Sequence, residues 1–191
     1  MSGRISMVFQ ELHSEWVVID ETSGPETARR LLREMAFYNG ITTDFSDVTK
    51  EILDDLISEM ENDNIVASGG LVFSKDKDVI YPGCCCGLEE CESIISELKN
   101  GKSPWMGHDP YVNLIVENDV FTITQKSENN VCQDFSWGEI KYDRSEFLEL
   151  LDNAEVEFHN FIDGPLSSVV YEISENEVNR FRNAFYQHFL R

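Results

Sequence analysis

Short runs of apolar and β-branched residues, bounded by turn-forming residues, recur along the chain and predict β-strands. His13-Ser14 separates the first two runs and predicts a hairpin turn, and Glu117–Asp119 does the same for a later pair. The polar segment Ser127–Ser136 is predicted to be a loop. The predicted strands are Ile5–Leu12, Glu15–Asp20, Ile65–Ser74, Val79–Tyr81, Tyr111–Val116, Val120–Lys126 and Gly138–Tyr142.

Longer segments place apolar residues three and four positions apart, which predicts amphipathic helices. Ser23–Glu26 and Ser174–Glu177 have the composition of capping boxes, Gly40 is a helix stop, and Gly164-Pro165 predicts a break or kink. The predicted helices are Ser23–Gly40, Ser46–Asn62, Leu88–Asn100, Ser145–Phe161 and a last one that opens at Ser174 and runs through Phe189.

Strand pairs between helices, with hairpin-length links, predict an α+β fold in which an antiparallel sheet of hairpins is packed by about four to five helices. We expect a single domain over residues 1–191, with a helical layer over 144–191 that Gly164-Pro165 could separate from the sheet. A chain of this length buries about 70% of its unfolded surface, so its core can offset a large charge repulsion.

That repulsion is considerable, because 36 acidic and 15 basic residues give a formal net charge of −21. Such a surplus favours a cationic partner and argues against nucleic acid or an anionic membrane surface. No run approaches the ~18 apolar residues of a membrane span, and Met1–Gln10 lacks the apolar core of a signal peptide. Three of the five cysteines are adjacent, which does not fit a disulfide framework. We therefore expect a cytoplasmic protein.

The acidic residues are concentrated in two places. Asp47, Glu51, Asp55 and Glu59 recur every four residues and would form one stripe of a helix, where each like-charged pair costs about 0.2–0.5 kcal/mol. A second tract, from Glu146 to Glu177, contains no Lys or Arg. A solvated surface is one explanation and a recognition face for a basic protein is another. A third, a calcium site, lacks the spacing of an EF-hand loop. The predicted partner-binding residues are Asp47, Glu51, Asp54, Asp55, Glu59, Glu149 and Asp152.

The cysteine-rich segment admits three interpretations. Cys84, Cys85 and Cys86 precede a predicted helix, where backbone N–H groups would lower a thiol pKa, and His108 with Asp109 could supply a base. A metal site is the second interpretation, with Cys84, Cys86, Cys91 and His108 as its ligands. The third, a tightly packed strand-to-helix corner, is favoured because cysteine is often buried and no spaced second cysteine pair exists. We expect no catalytic residue, no cofactor and no metal.

Two segments, PGCCCGLE at Pro82–Glu89 and PWMGHDP at Pro104–Pro110, resemble a largely uncharacterised bacterial family with a GCCCGLE-type corner followed by a W-x-G-H-D-P-type loop. The resemblance covers the middle third of the chain. In that family an aromatic residue often follows the acidic pair, where this chain has Cys91, and this argues against Cys91 as a ligand. The resemblance implies no catalytic residues.

In size, acidity and expected compartment the chain also resembles immunity proteins of bacterial toxin systems, which neutralise basic nuclease toxins by covering the active site. The functional prediction is therefore a non-enzymatic acidic protein, an immunity or antitoxin-type inhibitor of a basic protein such as a nuclease toxin. The alternative is a thiol- or zinc-dependent enzyme built on the Cys84–Cys86 corner and His108. Oligomeric state cannot be read from the sequence.

Overall fold

The computed structural model describes residues 3–11, 15–126 and 138–190. The predicted turn at His13-Ser14 and the predicted loop Ser127–Ser136 lie outside these ranges. Within them the strands are β1 (Arg4–Glu11), β2 (Glu15–Ile19), β3 (Gly69–Lys75), β4 (Asp78–Ile80), β5 (Tyr111–Glu117), β6 (Val120–Lys126) and β7 (Glu139–Asp143). The helices are α1 (Pro25–Tyr38), α2 (Lys50–Glu61), α3 (Cys91–Lys99), α4 (Arg144–Phe161), α5 (Ser167–Ile173) and α6 (Val178–Phe189).

The strands form two antiparallel sheets, which confirms the predicted α+β class but divides the expected single sheet. One sheet has the order β2-β1-β3-β4 and the other β5-β6-β7. Strand β1 pairs with both β2 and β3, so that Val8 lies opposite Val18 on one side and Gly70 on the other. The hairpin pairings follow from the short links between consecutive strands. The division of the strands into two sheets depends instead on which strands meet in space.

Strand β3 is shorter than the apolar run Ile65–Ser74 predicts, because the backbone from Ile65 to Ala67 bonds elsewhere. The N–H of Leu88 donates to the carbonyl of Ala67 at 2.9 Å. The carbonyl of Ile65 lies 2.7 Å from Nε2 of His188 in α6. The start of this run therefore connects β3 to other elements instead of extending the sheet.

Helix α4 packs across β1 and joins the two sheets. Phe147 stacks on Phe73 of the first sheet and on Phe121 of the second. The hydroxyl of Tyr142 in β7 donates to the carbonyl of Ser74 in β3 at 3.2 Å. Buried apolar residues from both sheets and all six named helices form one contiguous core. None of the helices in the described ranges combines the length and apolarity needed to cross a membrane.

The Gly164-Pro165 segment does not end the helix. A wider π-helical turn, Ile162–Leu166, carries the chain from α4 into α5. Proline has no N–H to donate, and such a turn tolerates the missing bond. The hydroxyl of Ser167 donates to the carbonyl of Ile162 at 2.7 Å, so helical backbone continues through the predicted break.

Neither predicted capping box forms. Helix α1 begins after Gly24, because the Ser23 hydroxyl instead donates to the carbonyl of Val18 and accepts from the N–H of Asp20. Ser174 makes no side-chain cap, and a short 3₁₀ turn, Glu175–Glu177, leads into α6.

Candidate functional site

Most carboxylates of the acidic tract at the C-terminal end are in ion pairs within the fold. Most of the cations in these pairs are distant in sequence, and Arg180 is three residues from Glu177. The pairs are Glu146 with Lys75, Asp152 and Glu155 with Lys99, Glu157 with Arg4, Asp163 with Arg182, Glu172 with Arg29, and Glu177 with Arg180. Exposed pairs of this kind contribute about 0–1 kcal/mol each, so their main effect is on surface charge.

This pairing distinguishes Asp152 from Glu149, which are the two predicted partner-binding residues of the tract. Asp152 lies 2.6 Å from Nζ of Lys99. Glu149 is exposed and has no ion pair within the described residues. The tract therefore offers isolated carboxylates at Glu149 and Glu175 instead of a continuous acidic face.

Helix α2 begins three residues later than Asp47, which changes the predicted stripe. The hydroxyl of Thr49 accepts from the N–H of Ile52 at 3.4 Å and caps the helix, so its first residue is Lys50. Asp47 lies before the helix, is 90% exposed and is 3.4 Å from a guanidinium nitrogen of Arg33. It is therefore not part of a helical stripe.

Three carboxylates of the predicted stripe lie on the outward side of α2. We call these three, Glu51, Asp55 and Glu59, the α2 acidic face. Glu51 and Asp55 are exposed and have no ion pair within the described residues, while Glu59 is half-buried and accepts from Nδ2 of Asn64 at 2.9 Å. Hydrogen bonds from its own N–H and from Thr49 lower the pKa of Glu51, so this group stays ionised.

Asp54 has a different role from the α2 acidic face. Its carboxylate lies 2.9 Å from Nζ of Lys50, one turn earlier in α2. The hydrogen bond and charge of Asp54 raise the pKa of Lys50. This predicted partner-binding residue is therefore engaged within its own helix.

An open cleft of about 510 Å³ adjoins the α2 acidic face. Its lining combines the turn that follows α1 with the last turns of α2. We call it the acidic cleft, and its residues are Asn39, Gly40, Ile41, Asp55, Glu59 and Asn64.

The helix ends beside this cleft add to its negative potential. Helix α1 stops at a left-handed Gly40 (φ 71°), and the N–H of Ile41 donates to the carbonyl of Ala36 at 2.9 Å. Helix α2 ends in the same way, with Asp63 in the left-handed position (φ 60°). Neither helix has a basic residue in its last turn, so the partial negative charge of about 0.5 at each C-terminus is not offset there. The cleft suits a lysine or arginine side chain.

The two motif segments of the sequence are in direct contact. The N–H of Gly83 donates to the carbonyl of Met106 at 2.9 Å, and the N–H of His108 donates to the carbonyl of Cys84 at 3.0 Å. A Cβ on Gly107 would lie 2.5 Å from the carbonyl oxygen of Gly83, so only glycine permits this approach. The contact places Cys84 opposite His108 as an isolated antiparallel bridge.

The cysteines of this corner divide into exposed and buried pairs. Cys84 and Cys85 are exposed, and their Sγ atoms and a ring nitrogen of His108 all lie within 4.8 Å of one another. Cys86 and Cys91 are buried in the core, and Sγ of Cys91 lies 3.8 Å from the carbonyl of Gly87.

The predicted four-ligand metal set does not come together, and sequence reasoning missed Cys85. Alternation along an extended chain would put Cys84 and Cys86 on one side. Cys85 instead adopts a left-handed conformation (φ 65°), which breaks the alternation. Cys86 and Cys91 are buried, as the packed-corner interpretation expects. Cys84 and Cys85 instead face solvent beside His108.

The Cys84 and Cys86 thiols do not have the electrostatics of an activated nucleophile. Helix α3 begins only at Cys91, so its N-terminus does not hold the three adjacent thiols. Burial raises the pKa of the Cys84 thiol, with Cys85 and Asp109 adding to the effect. Burial likewise raises the pKa of Cys86 to about 12. A nucleophilic cysteine needs the opposite shift.

Glu90, in the 3₁₀ turn Leu88–Glu90 that precedes α3, provides a pH test of this corner. Its Oε2 atom is buried and finds no hydrogen-bond partner in the described chain. Burial, and then the charge of Glu89, raises the pKa of Glu90. The folded state therefore binds this proton more tightly than the unfolded state, and stability falls as pH rises through the folded pKa.

We expect Glu90→Gln to raise Tm at neutral pH, with the gain shrinking at acidic pH, as measured by thermal unfolding across pH. The exposed Glu117→Gln is the control and should change Tm little at either pH. A lower Tm for Glu90→Gln, or a difference that does not depend on pH, would count against this account.

No protein-family model, curated protein or solved structure matches this chain in the comparisons made. Its function is therefore argued from the charges and contacts of its own residues.

Proposed function

We propose that this chain is a non-enzymatic acidic binding protein whose contact surface for a basic protein is the α2 acidic face with the adjoining acidic cleft. The observation that carries the proposal is the distribution of charge after folding. Most carboxylates of the C-terminal tract are in ion pairs, whereas Glu51 and Asp55 have no ion pair in the described chain. A partner would supply the missing cations.

The proposed partner is a protein and not a small cation, because two exposed residues with large apolar side chains adjoin Asn39 of the acidic cleft. Tyr38 and Val66 are 42% and 41% exposed. The Asn39 side chain donates from Nδ2 to the carbonyl of Val66 and accepts at Oδ1 from the N–H of Val66. These two hydrogen bonds hold Val66 next to the wall of the cleft. Tyr38 directly precedes Asn39 in the chain, and tyrosine is common among the anchoring residues of protein interfaces.

The net charge of the whole chain also supports binding of a basic protein. A net charge of −21 steers a basic protein toward the chain and repels anionic competitors, including nucleic acid and anionic membranes. We therefore propose that the chain is an immunity or antitoxin-type inhibitor of a basic toxin such as a nuclease. We propose the cytoplasm as its compartment, supported by the free thiols of Cys84, Cys85, Cys86 and Cys91.

The test is a charge reversal with a control of equal charge. Asp55→Lys combined with Glu59→Lys is expected to reduce the association rate with the basic protein encoded beside this chain by about tenfold or more, because both carboxylates line the acidic cleft. Lysine near the end of α2 also suits the helix dipole, so the variant should fold. Stopped-flow or surface-plasmon measurements at two salt concentrations would give the rates.

The control is Glu149→Lys combined with Glu175→Lys, which reverses two exposed carboxylates that have no ion pair in the described residues. The net charge of this control changes by the same amount. It should therefore show only the part of the loss in association rate that comes from net charge. Equal rates for the two double variants would reject the α2 acidic face as the interface. A neighbouring gene that encodes no basic protein would reject the immunity role.

A further inference from the structure

The two exposed thiols and the imidazole at the motif contact are arranged as metal ligands. Sγ of Cys84 lies 3.9 Å from Sγ of Cys85. Two thiolates bound to one zinc ion at ~2.3 Å with a tetrahedral angle lie about 3.8 Å apart. The observed separation therefore matches a shared ion, and a ring nitrogen of His108 lies within 4.8 Å of both sulfur atoms.

The backbone holds these donors in place. Cys84 and His108 are opposite residues of an antiparallel bridge, and the N–H of His108 donates to the carbonyl of Cys84 at 3.0 Å. Gly83 and Gly107 allow the two segments to approach at backbone distance. Cys85 is held in a left-handed conformation that few residues other than glycine adopt, which adds strain at the point where its thiol joins the cluster.

The donor types select the ion. Two thiolates with one imidazole favour Zn²⁺ and other soft or borderline ions over Mg²⁺ and Ca²⁺, which prefer oxygen. All three donor residues are exposed, and this leaves a coordination position facing solvent.

We propose that Cys84, Cys85 and His108 bind one Zn²⁺ ion through two thiolates and an imidazole, with the fourth position open to water or to a donor from a partner. Binding releases the two thiol protons, and the two thiolates neutralise the charge of the ion. The site uses Cys85 in place of the buried Cys86 and Cys91, and it does not depend on the α2 acidic face. It departs from the expectation, drawn from the sequence, that the chain binds no metal.

The test uses the full chain, stripped with a chelator and kept reduced, with Co²⁺ as the spectroscopic probe. Titration is expected to produce thiolate-to-cobalt charge-transfer absorption and tetrahedral visible bands that saturate at one equivalent. Zn²⁺ should displace Co²⁺ and raise Tm by mass action. We expect binding to weaken by more than ~100-fold in each of the variants Cys84→Ser, Cys85→Ser and His108→Ala. Losing a residue that only hydrogen-bonds to a metal ligand would cost ~10–100-fold.

Two variants control for other ligands. His159→Ala removes a half-buried imidazole on α4 that packs at a tilt against Tyr186, away from the cluster. Cys132→Ser removes a thiol that lies outside the described residues. Both should bind Co²⁺ as the wild type does. No charge-transfer band in the wild type, unchanged binding by Cys84→Ser and Cys85→Ser, or loss of binding in either control would overturn the proposal. Circular dichroism would verify that each variant is folded.

Discussion

Replacing Phe147 with alanine is expected to lower the free energy of unfolding by about 3–5 kcal/mol, the range for removing a buried phenylalanine ring. Phe147 lies in the first turn of α4 and is fully buried. Its ring is 4.8 Å from that of Phe121, 5.6 Å from that of Tyr142 and 6.4 Å from that of Phe73, measured between centroids. These partners belong to both sheets, so a cavity here would loosen the joint between them.

Urea unfolding at equilibrium would measure the loss, and Val156→Ala on the same helix is the control. Val156 is 57% exposed, so its truncation should change stability by less than about 0.5 kcal/mol. A loss of under about 1.5 kcal/mol for Phe147→Ala would mean that the two sheets are joined by other contacts or that the site collapses to fill the cavity.

Replacing Gly107 with alanine is expected to cost about 3 kcal/mol or more, because two penalties add. Gly107 has a φ of 89°, a conformation that strains any other residue. Its new Cβ would also lie 2.5 Å from the carbonyl oxygen of Gly83 and 2.7 Å from that of Cys84. These are backbone atoms, so rotating a side chain cannot relieve the clash and the two motif segments must separate.

Gly164→Ala provides the matched comparison for this substitution. Gly164 lies in the π-helical turn, where a Cβ would meet no atom within 4 Å. Alanine there should be neutral or stabilise the protein by about 0.5–1 kcal/mol, because it restricts the unfolded chain. Thermal and urea unfolding of both variants would check this. Similar stabilities for the two would show that the contact between Gly83 and Gly107 is not tight.

The periodic pattern of apolar residues predicted the strands and every helix except α5 to within a few residues, because burial on one face is a local property of the sequence. No predicted helix covers α5. Two of the errors fall where a group outside the predicted element takes over a backbone or side-chain bond. Ile65 contacts His188 instead of extending β3, and the Ser23 hydroxyl bonds to Val18 instead of capping α1. These partners cannot be identified from local spacing.

The candidate sites depended more strongly on tertiary contacts. Spacing by four correctly grouped Glu51, Asp55 and Glu59, but Thr49 starts the helix too late to include Asp47. The left-handed conformation at Cys85 also cannot be read from a run of three identical residues.

By itself the sequence determined the surplus of negative charge, the α+β class and the two glycine-containing motif segments, because composition and local periodicity carry that information. Only the tertiary structure decided which carboxylates keep their charge exposed and which thiols meet an imidazole. Lys99 forms ion pairs with Asp152 and Glu155 from another helix, and Gly83 brings Cys84 to His108 across 23 intervening residues (85–107). Ion pairs and ligand clusters form between groups that packing brings within a few ångströms, and that proximity is not a property of neighbouring residues.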